Sequence, residues 1–353
     1  MKGVVLSGGT GTRLRPITFS MAKQLVPVAN EPILFYGLRD MAAAGVTDVA
    51  IIISLETGGE IRRAVGDGGF LGLDSVEFIV QDEPLGLAHA LKCALPWADG
   101  DDVLMYLGDN LVKLGVADVV EDFRTHNPNC QILLTPVDNP SSFGVAELNG
   151  SGQVVRLVEK PKTPPSNLAL VGVYLFDNTI NEAVEAIEPS ARGELEITDA
   201  IQYLVTTGKD VRSSVVRGWW KDTGRKEDLL HANELILADI ETVIEGDLVD
   251  CRTRGSIRVE EGARLIDCQI TGPAVIGRGT QMARTVIGPN TSIGDDCRVS
   301  DATIEGTIVM EGTEIRGWKL QNSLLGRSTR VHGSPPPDFV EMTLGENSEI
   351  DAE

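Results

Sequence analysis

Short runs of β-branched and aliphatic residues alternate with stretches whose apolar positions recur every three to four residues through the first 240 positions, and then that alternation stops. The first kind of run predicts strands over 3–6, 49–54, 76–80, 103–107, 131–136 and 170–176, and the second predicts helices near 33–44, 58–65, 87–95 and 116–125. Strands and helices in that order build a mostly parallel, Rossmann-like α/β sheet covered on both faces. In such sheets ligands lie beyond the carboxyl ends of the strands.

The remainder of the chain has a different period. VEEGARL (259–265), IGRGTQM (276–282), IGDDCRV (293–299), VMEGTEI (309–315) and LGRSTRV (325–331) begin 17, 17, 16 and 16 residues apart, and LGENSEI (344–350) comes after an interruption containing Pro335, Pro336 and Pro337. Each copy places an aliphatic residue at both ends of a six-residue step. A third aliphatic set, Ile270, Ile287, Ile304 and Leu320, repeats at nearly the same period. Three short faces per turn with aliphatics stacked coil on coil describe a parallel β-helix of the hexapeptide type. The predicted organisation is therefore a domain over 1–240 and a repeat domain over 241–353. Cys251 and Cys268 are also 17 apart, which suits stacked interior thiols better than a designed disulfide.

Charge adds a chemical clue. The chain carries a formal net charge of -21, yet residues 1–27 contain Lys2, Arg13, Arg15 and Lys23 and no acid. That basic island coincides with the glycine-rich LSGGTGTRLRPIT (6–18) and with AKQLVPV (22–28), directly behind the first predicted strand. Glycines let a backbone approach an anion closely, their N–H groups point at it, and fixed cations neutralise it. The segment is suited to a polyphosphate. No GxxxxGK[ST] is present, and Gly9-Thr-Gly11 runs into Arg13 and Leu14 where a dinucleotide fingerprint needs a third glycine, so neither common glycine-rich motif applies.

Composition limits the alternatives. Apolar residues at 42% allow ordinary cores for two domains. No apolar run reaches the ~18 residues of a membrane span, and no signal-peptide pattern opens the chain, so a cytoplasmic protein without a membrane partner is expected. Five cysteines, Cys93, Cys130, Cys251, Cys268 and Cys297, contain no CxxC and read as buried thiols. Strong acidity with one basic loop argues against a nucleic-acid partner.

The ordered blocks GGTGTRLRP, AKQLVPV, QDEPLGLAHAL (81–91), YLGDN (106–110), SSFGVAEL (141–148), VEKP (158–161), LVGVYLFD (170–177), RGELEITDA (192–200) and WWKDTG (219–224) resemble the sugar-1-phosphate nucleotidyltransferases. Within that family the likeness is to the long glucose-1-phosphate thymidylyltransferases, which carry a repeat domain. The resemblance implies that the β-helix is left-handed, that dTTP and glucose 1-phosphate are the substrates and that Mg²⁺ is the cofactor. It implies nucleotide contacts from Leu6, Gly8, Gly9, Gly11, Thr12, Arg13, Gln81, Gly86 and Asp109. It implies sugar-phosphate contacts from Gly144, Glu159, Lys160, Val171, Gly172 and Arg192, and catalytic roles for Arg13, Lys23 and Asp109. Assembly into a homo-oligomer is also expected.

The residues support the same chemistry directly. A phosphate monoester with a second pKa near ~6 is already an adequate nucleophile, so neutralising and aligning anions is the enzyme's task. Arg13 and Lys23 suit a triphosphate. Hard Mg²⁺ asks for one or two carboxylates, which points to Asp109 after the strand VLMYL and to Asp222, although Asp222 could instead cap a helix over 225–240. A glutamine at 81 can donate to a pyrimidine carbonyl and accept from its ring N–H, a pattern shared by thymine and uracil, so UTP is the alternative substrate. Acyl transfer in the coils would call for a histidine base, and His332 is the only histidine there.

Overall fold

The computed structural model describes residues 1–333 and 337–352, so Pro335 and Pro336 of the predicted interruption lie outside the described residues. Two compact units are present, one made of Met1–Gly9 with Leu34–Asp222 and the other of Thr10–Ile33 with Thr223–Glu353. In chain order, the elements up to the coils begin with β1 (Lys2–Ser7), β2 (Pro27–Val28), β3 (Glu31–Pro32), α1 (Ile33–Ala43), β4 (Asp48–Ile53), α2 (Gly58–Val65), β5 (Ser75–Val80) and α3 (Leu87–Ala98). They continue with β6 (Val103–Leu107), β7 (Asn110–Val112), α4 (Ala117–His126), β8 (Cys130–Pro136), β9 (Gly144–Leu148), β10 (Val154–Glu159) and β11 (Leu168–Phe176). The last are α5 (Ile180–Ala186), α6 (Ile197–Thr206), β12 (Val211–Val215), β13 (Trp220–Asp222) and α7 (Lys226–Leu237).

The first unit holds one large sheet with the path β10-β9-β11-β6-β1-β4-β5. The ladders joining β6, β1, β4 and β5 are parallel, and β11 runs antiparallel to β6, β8 and β9. Val4, Val5, Ile51 and Ile52 are fully buried, as central strands covered on both faces require. All six predicted strands are present within two residues of their expected ends, and α3 runs three residues further than predicted.

The second unit contains a left-handed β-helix with three parallel sheets. The repeat copies stack as aligned: Leu265, Met282, Val299, Ile315, Val331 and Ile350 form one ladder, and Ile270, Ile287, Ile304 and Leu320 another. These aliphatics form the interior core. In the sheet containing Thr291–Ile293, the outward row is Arg258, Val275, Ser292, Ile308 and Leu324. Its last four members are nonetheless buried, which means that this face is covered, and α7 packs against it at Thr291–Ile293.

The cysteine expectation needs one correction. Cys130, Cys268 and Cys297 are buried, but Cys93 and Cys251 are only half-buried, Cys93 on α3 and Cys251 at the edge of the coil core. Cys251 and Cys268 do occupy equivalent places in successive coils, and both are free thiols.

Candidate active site

At the carboxyl end of β6, the turn Gly108-Asp109-Asn110 leads into β7. A Cβ on Gly108 would stand 2.6 Å from Ser7 Oγ and 3.0 Å from Leu6 O, so only glycine lets the turn lie this close to β1. Asn110, 3% exposed, ties the turn to three neighbours. Its Nδ2 donates to Asp109 Oδ1 at 2.9 Å, its Oδ1 accepts from Trp220 Nε1 at 2.6 Å, and its carbonyl accepts from Tyr106 Oη at 3.2 Å. β13 pairs antiparallel with β7 and sets Asp222 directly opposite Asn110. Asp109, which precedes Asn110 in the chain, and Asp222, 113 positions further on, are thus brought to the same end of one short ladder. Asp222 does not cap a helix, because α7 starts later and has Arg225 at its N-cap.

Gly172 closes on the same end. β11 loses register between Leu170 and Tyr174, and Gly172 within that bulge has φ 79. A Cβ there would lie 2.8 Å from Leu107 Cδ1 and 3.1 Å from Asn110 Oδ1. Bulges of this kind re-aim backbone groups, and here Val171 and Gly172 are the residues re-aimed.

Gln81 comes directly after β5 and lies beside the glycine run: a Cβ on Gly8 would be 3.2 Å from its Oε1. Its Nε2 donates to Gly86 O at 3.2 Å and stands 3.0 Å from His89 Nδ1, which accepts in the matching tautomer. Both amide hydrogens are then used within the protein, leaving Oε1 as the atom that meets a ligand by accepting. With His89 in that tautomer, the donating half of the expected base contact is engaged by Gly86 and His89. Gly86 has φ 109, and a Cβ there would collide with the backbone of Leu195. Leu6 is 7% exposed in β1, so its backbone rather than its side chain is what a ligand could reach.

A third group surrounds Glu159. The β9–β10 ladder sets Glu159 opposite Gly144. Glu159 Oε1 lies 3.4 Å from Lys160 Nζ and 3.5 Å from Arg192 Nη1, and Oε2 accepts from Thr198 Oγ1 at 3.3 Å. Arg192 also pairs with Glu194 at 2.9 Å and Glu196 at 3.2 Å, so it neutralises a cluster of acids. Burial pushes the Glu196 carboxyl up, the Ser190 hydroxyl bond opposes this, and Glu159 adds to the rise. Asp199 is likewise pushed up, first by burial and then by Glu159. An excess of acid in a partly buried region favours hydroxyl-rich ligands that can donate to it.

Arg13, Arg15 and Lys23 lie in the second unit, since the chain passes from one unit to the other after Gly9, while Lys2 stays in the first. Gly11 has φ 63 and accepts at its carbonyl from Thr18 Oγ1 at 2.7 Å. A Cβ on Gly11 would be 2.9 Å from Lys23 Cβ, so the glycine is what lets Lys23 lie against the turn. Arg13 is exposed in the helical turn Thr12–Leu14, and Leu14 beside it is buried and anchors that turn.

Sequence reasoning missed Asn110, Trp220, His89 and Thr198. All four stand inside conspicuous blocks, but their roles depend on which partner the fold supplies. Among the described residues no three His, Cys, Asp or Glu side chains gather into a metal cage. Two carboxylates at one ladder end suit a hard divalent ion that takes the rest of its shell from phosphate and water.

Residues 2–239 match the nucleotidyl transferase family. The chain is 51% identical over 356 residues to a glucose-1-phosphate thymidylyltransferase of Streptomyces antibioticus, covering 99% of each. It is 44% identical to the low-salt glycan biosynthesis nucleotidyltransferase Agl11 of Haloferax volcanii, again over 99% of each. A crystal structure assigned to a glucose-1-phosphate thymidylyltransferase from Bacillus anthracis, in complex with sucrose, superposes with TM-score 0.64 at 35% identity and covers 69% of this chain and 97% of that one.

Proposed function

Because the chain belongs to the nucleotidyl transferase family, we propose that it transfers a thymidylyl group from dTTP to glucose 1-phosphate, giving dTDP-glucose and pyrophosphate. A phosphate oxygen of glucose 1-phosphate attacks the α-phosphorus of dTTP. The bond from that phosphorus to the bridging oxygen breaks, and its electron pair leaves with pyrophosphate. No proton is removed from the nucleophile, so the protein's residues align and neutralise.

Gln81 Oε1 accepts the ring N–H of the base, and the backbone of Leu6, Gly8 and Gly9 lines the nucleotide. Gly11, Thr12, Arg13 and Lys23 receive the triphosphate, the two cations meeting charge that grows on the leaving group. Glu159 accepts from sugar hydroxyls, with Gly144, Val171 and Gly172 offering backbone groups. Lys160 meets the sugar phosphate, and Arg192 keeps Glu159 placed. Asp109 and Asp222 would hold Mg²⁺, which supplies further neutralisation of phosphate oxygens.

The reading is supported above all by the β7–β13 pairing, which sets Asp222 opposite Asn110, the residue after Asp109, at a strand end where an α/β sheet binds ligands. Its test is pyrophosphate release with glucose 1-phosphate and each nucleoside triphosphate in turn, with and without Mg²⁺. The expected result is Mg²⁺-dependent turnover highest with dTTP. Greater turnover with ATP or GTP would overturn the base assignment.

A further inference from the structure

The segment Thr10–Ile33 and the β-helix belong to one unit, and a fully buried side chain connects them. Asn233 of α7 is fully buried. Its Oδ1 accepts from the Ala29 backbone N–H at 2.8 Å and from Ser292 Oγ at 2.6 Å, while its Nδ2 donates to Asn290 O at 3.0 Å. Beside it, Asn30 Nδ2 donates to Ile293 O at 2.6 Å. Ala29 and Asn30 form the two-residue turn of the β2–β3 hairpin, and both have positive φ, 49 and 66.

An alanine is strained in the left-handed region, and such a residue persists only where its surroundings over-determine it. Here the surroundings are Asn233 and the coil end at Asn290–Ile293. The hairpin is two residues downstream of the turn Lys23–Leu25, and Ile33 N–H donates back to Val26 O at 3.3 Å. Lys23 packs on Gly11, whose carbonyl accepts from Leu14 N–H at 2.9 Å in the turn that carries Arg13. A second coil reaches the same segment, since a Cβ on Gly345 would stand 3.1 Å from Pro16 O. An unbroken path of hydrogen bonds and close packing therefore runs from the coils to both cations.

We propose that Asn233 is a positioning residue for nucleotidyl transfer and that the β-helix is the rigid support through which it holds Lys23 and Arg13 in place. The proposal deepens the reading of the active site and rests on it. A site residue carried on a loop is only as well placed as the elements that lock that loop. The burial of Ser292 in the outward row has the same explanation: at Thr291–Ile293 this face of the β-helix is covered by α7.

The experiment compares full-length Asn233→Ala, Asn233→Asp and Asn30→Ala with the unaltered chain. Asn233→Ala removes the acceptor from Ala29 and Ser292, and kcat/KM for dTTP should fall about 10- to 100-fold with KM for glucose 1-phosphate within about twofold. Asn233→Asp keeps an acceptor for both donors and should recover part of that loss, and Asn30→Ala should cost about 3- to 10-fold. Hydrogen exchange provides a readout independent of catalysis. Leu25 and Val26 amides should lose protection in Asn233→Ala while the coil amides of Gln281 and Arg298 keep theirs. Unchanged dTTP kinetics, or equal loss toward both substrates with coil amides exposed, would overturn the proposal and leave Asn233 a residue of the fold alone. An unaltered chain that transfers no thymidylyl group would refute the activity, and retained protection of Leu25 and Val26 in Asn233→Ala would separately refute the positioning role.

Discussion

Replacing Asn110 separates the orientation of Asp109 from mere stability. Asn110→Ala deletes the donor at 2.9 Å from Asp109 Oδ1 and the acceptor at 2.6 Å from Trp220 Nε1. A hydrogen bond to a charged acceptor contributes about 1.5–3 kcal/mol and a neutral one about 1 kcal/mol. If the first is expressed in the placement of the carboxylate, kcat/KM falls about 10- to 100-fold. The second appears as stability, since Trp220 is left half-buried with its N–H unmet. Trp220→Phe removes only that second bond and keeps the edge-to-face contact with Phe143 at 5.3 Å, so it should cost stability of about 1 kcal/mol and little rate. Asn110→Asp is the sharpest variant, because it retains the acceptor for Trp220 but sets a second carboxylate beside Asp109. It should lose rate at least as severely as Asn110→Ala and shift the Mg²⁺ requirement. The assay is initial-rate pyrophosphate release over a Mg²⁺ titration, paired with thermal melting. Asn110→Ala with kcat/KM and Mg²⁺ dependence inside twofold of the unaltered chain, despite a lowered melting temperature, would refute the orienting role.

Lys23→Ala and Arg13→Ala should lose activity mainly in kcat, since both meet charge that grows on the leaving pyrophosphate, and steady-state rates at saturating dTTP check this. Gly11→Ala forces a Cβ to 2.9 Å from Lys23 Cβ at φ 63, a backbone cost of about 1–2 kcal/mol, and should approach the Lys23→Ala rate without touching a charged group. Asp40 on α1 is pushed up from 3.8 to about 7 by burial. Between those values the folded chain binds a proton that the unfolded chain has released, so stability falls as pH rises through this window and levels off above it. The loss is on the order of 2 kcal/mol once partial exposure is allowed for. Asp40→Asn should flatten melting temperature between pH 5 and pH 8, and an unchanged slope would assign the dependence elsewhere.

The parallel strands were legible because buried strands read as β-branched runs, and the coils because a stacked core repeats its aliphatics at a fixed interval. The pairing that sets Asp222 opposite Asn110 was not, since strands of three residues leave no period, and pairing across more than a hundred positions has no local signature. Asn110 and His89 were overlooked for a related reason: an amide or imidazole that orients a neighbour looks in sequence like any polar residue. The turn at Ala29 and Asn30 was invisible because alanine does not announce positive φ. Gln81 was singled out by its residue type, but its contacts with Gly86 and His89 belong to the fold.

A solenoid ordinarily tolerates gain or loss of a whole repeat, because each coil needs only neighbours of the same kind. The bond from Ser292 to Asn233 removes that freedom upstream. Deleting one 17-residue coil between α7 and Ser292 would preserve every ladder of the core yet bring the row forward by about 4.8 Å, placing Ile308 where Ser292 donates to its partner. The stretch from α7 to Ser292 consequently acts as a ruler. Its length in whole coils is set by a hairpin that begins at residue 27, and insertions that drift freely in other repeat arrays would here be read as a loss of rate.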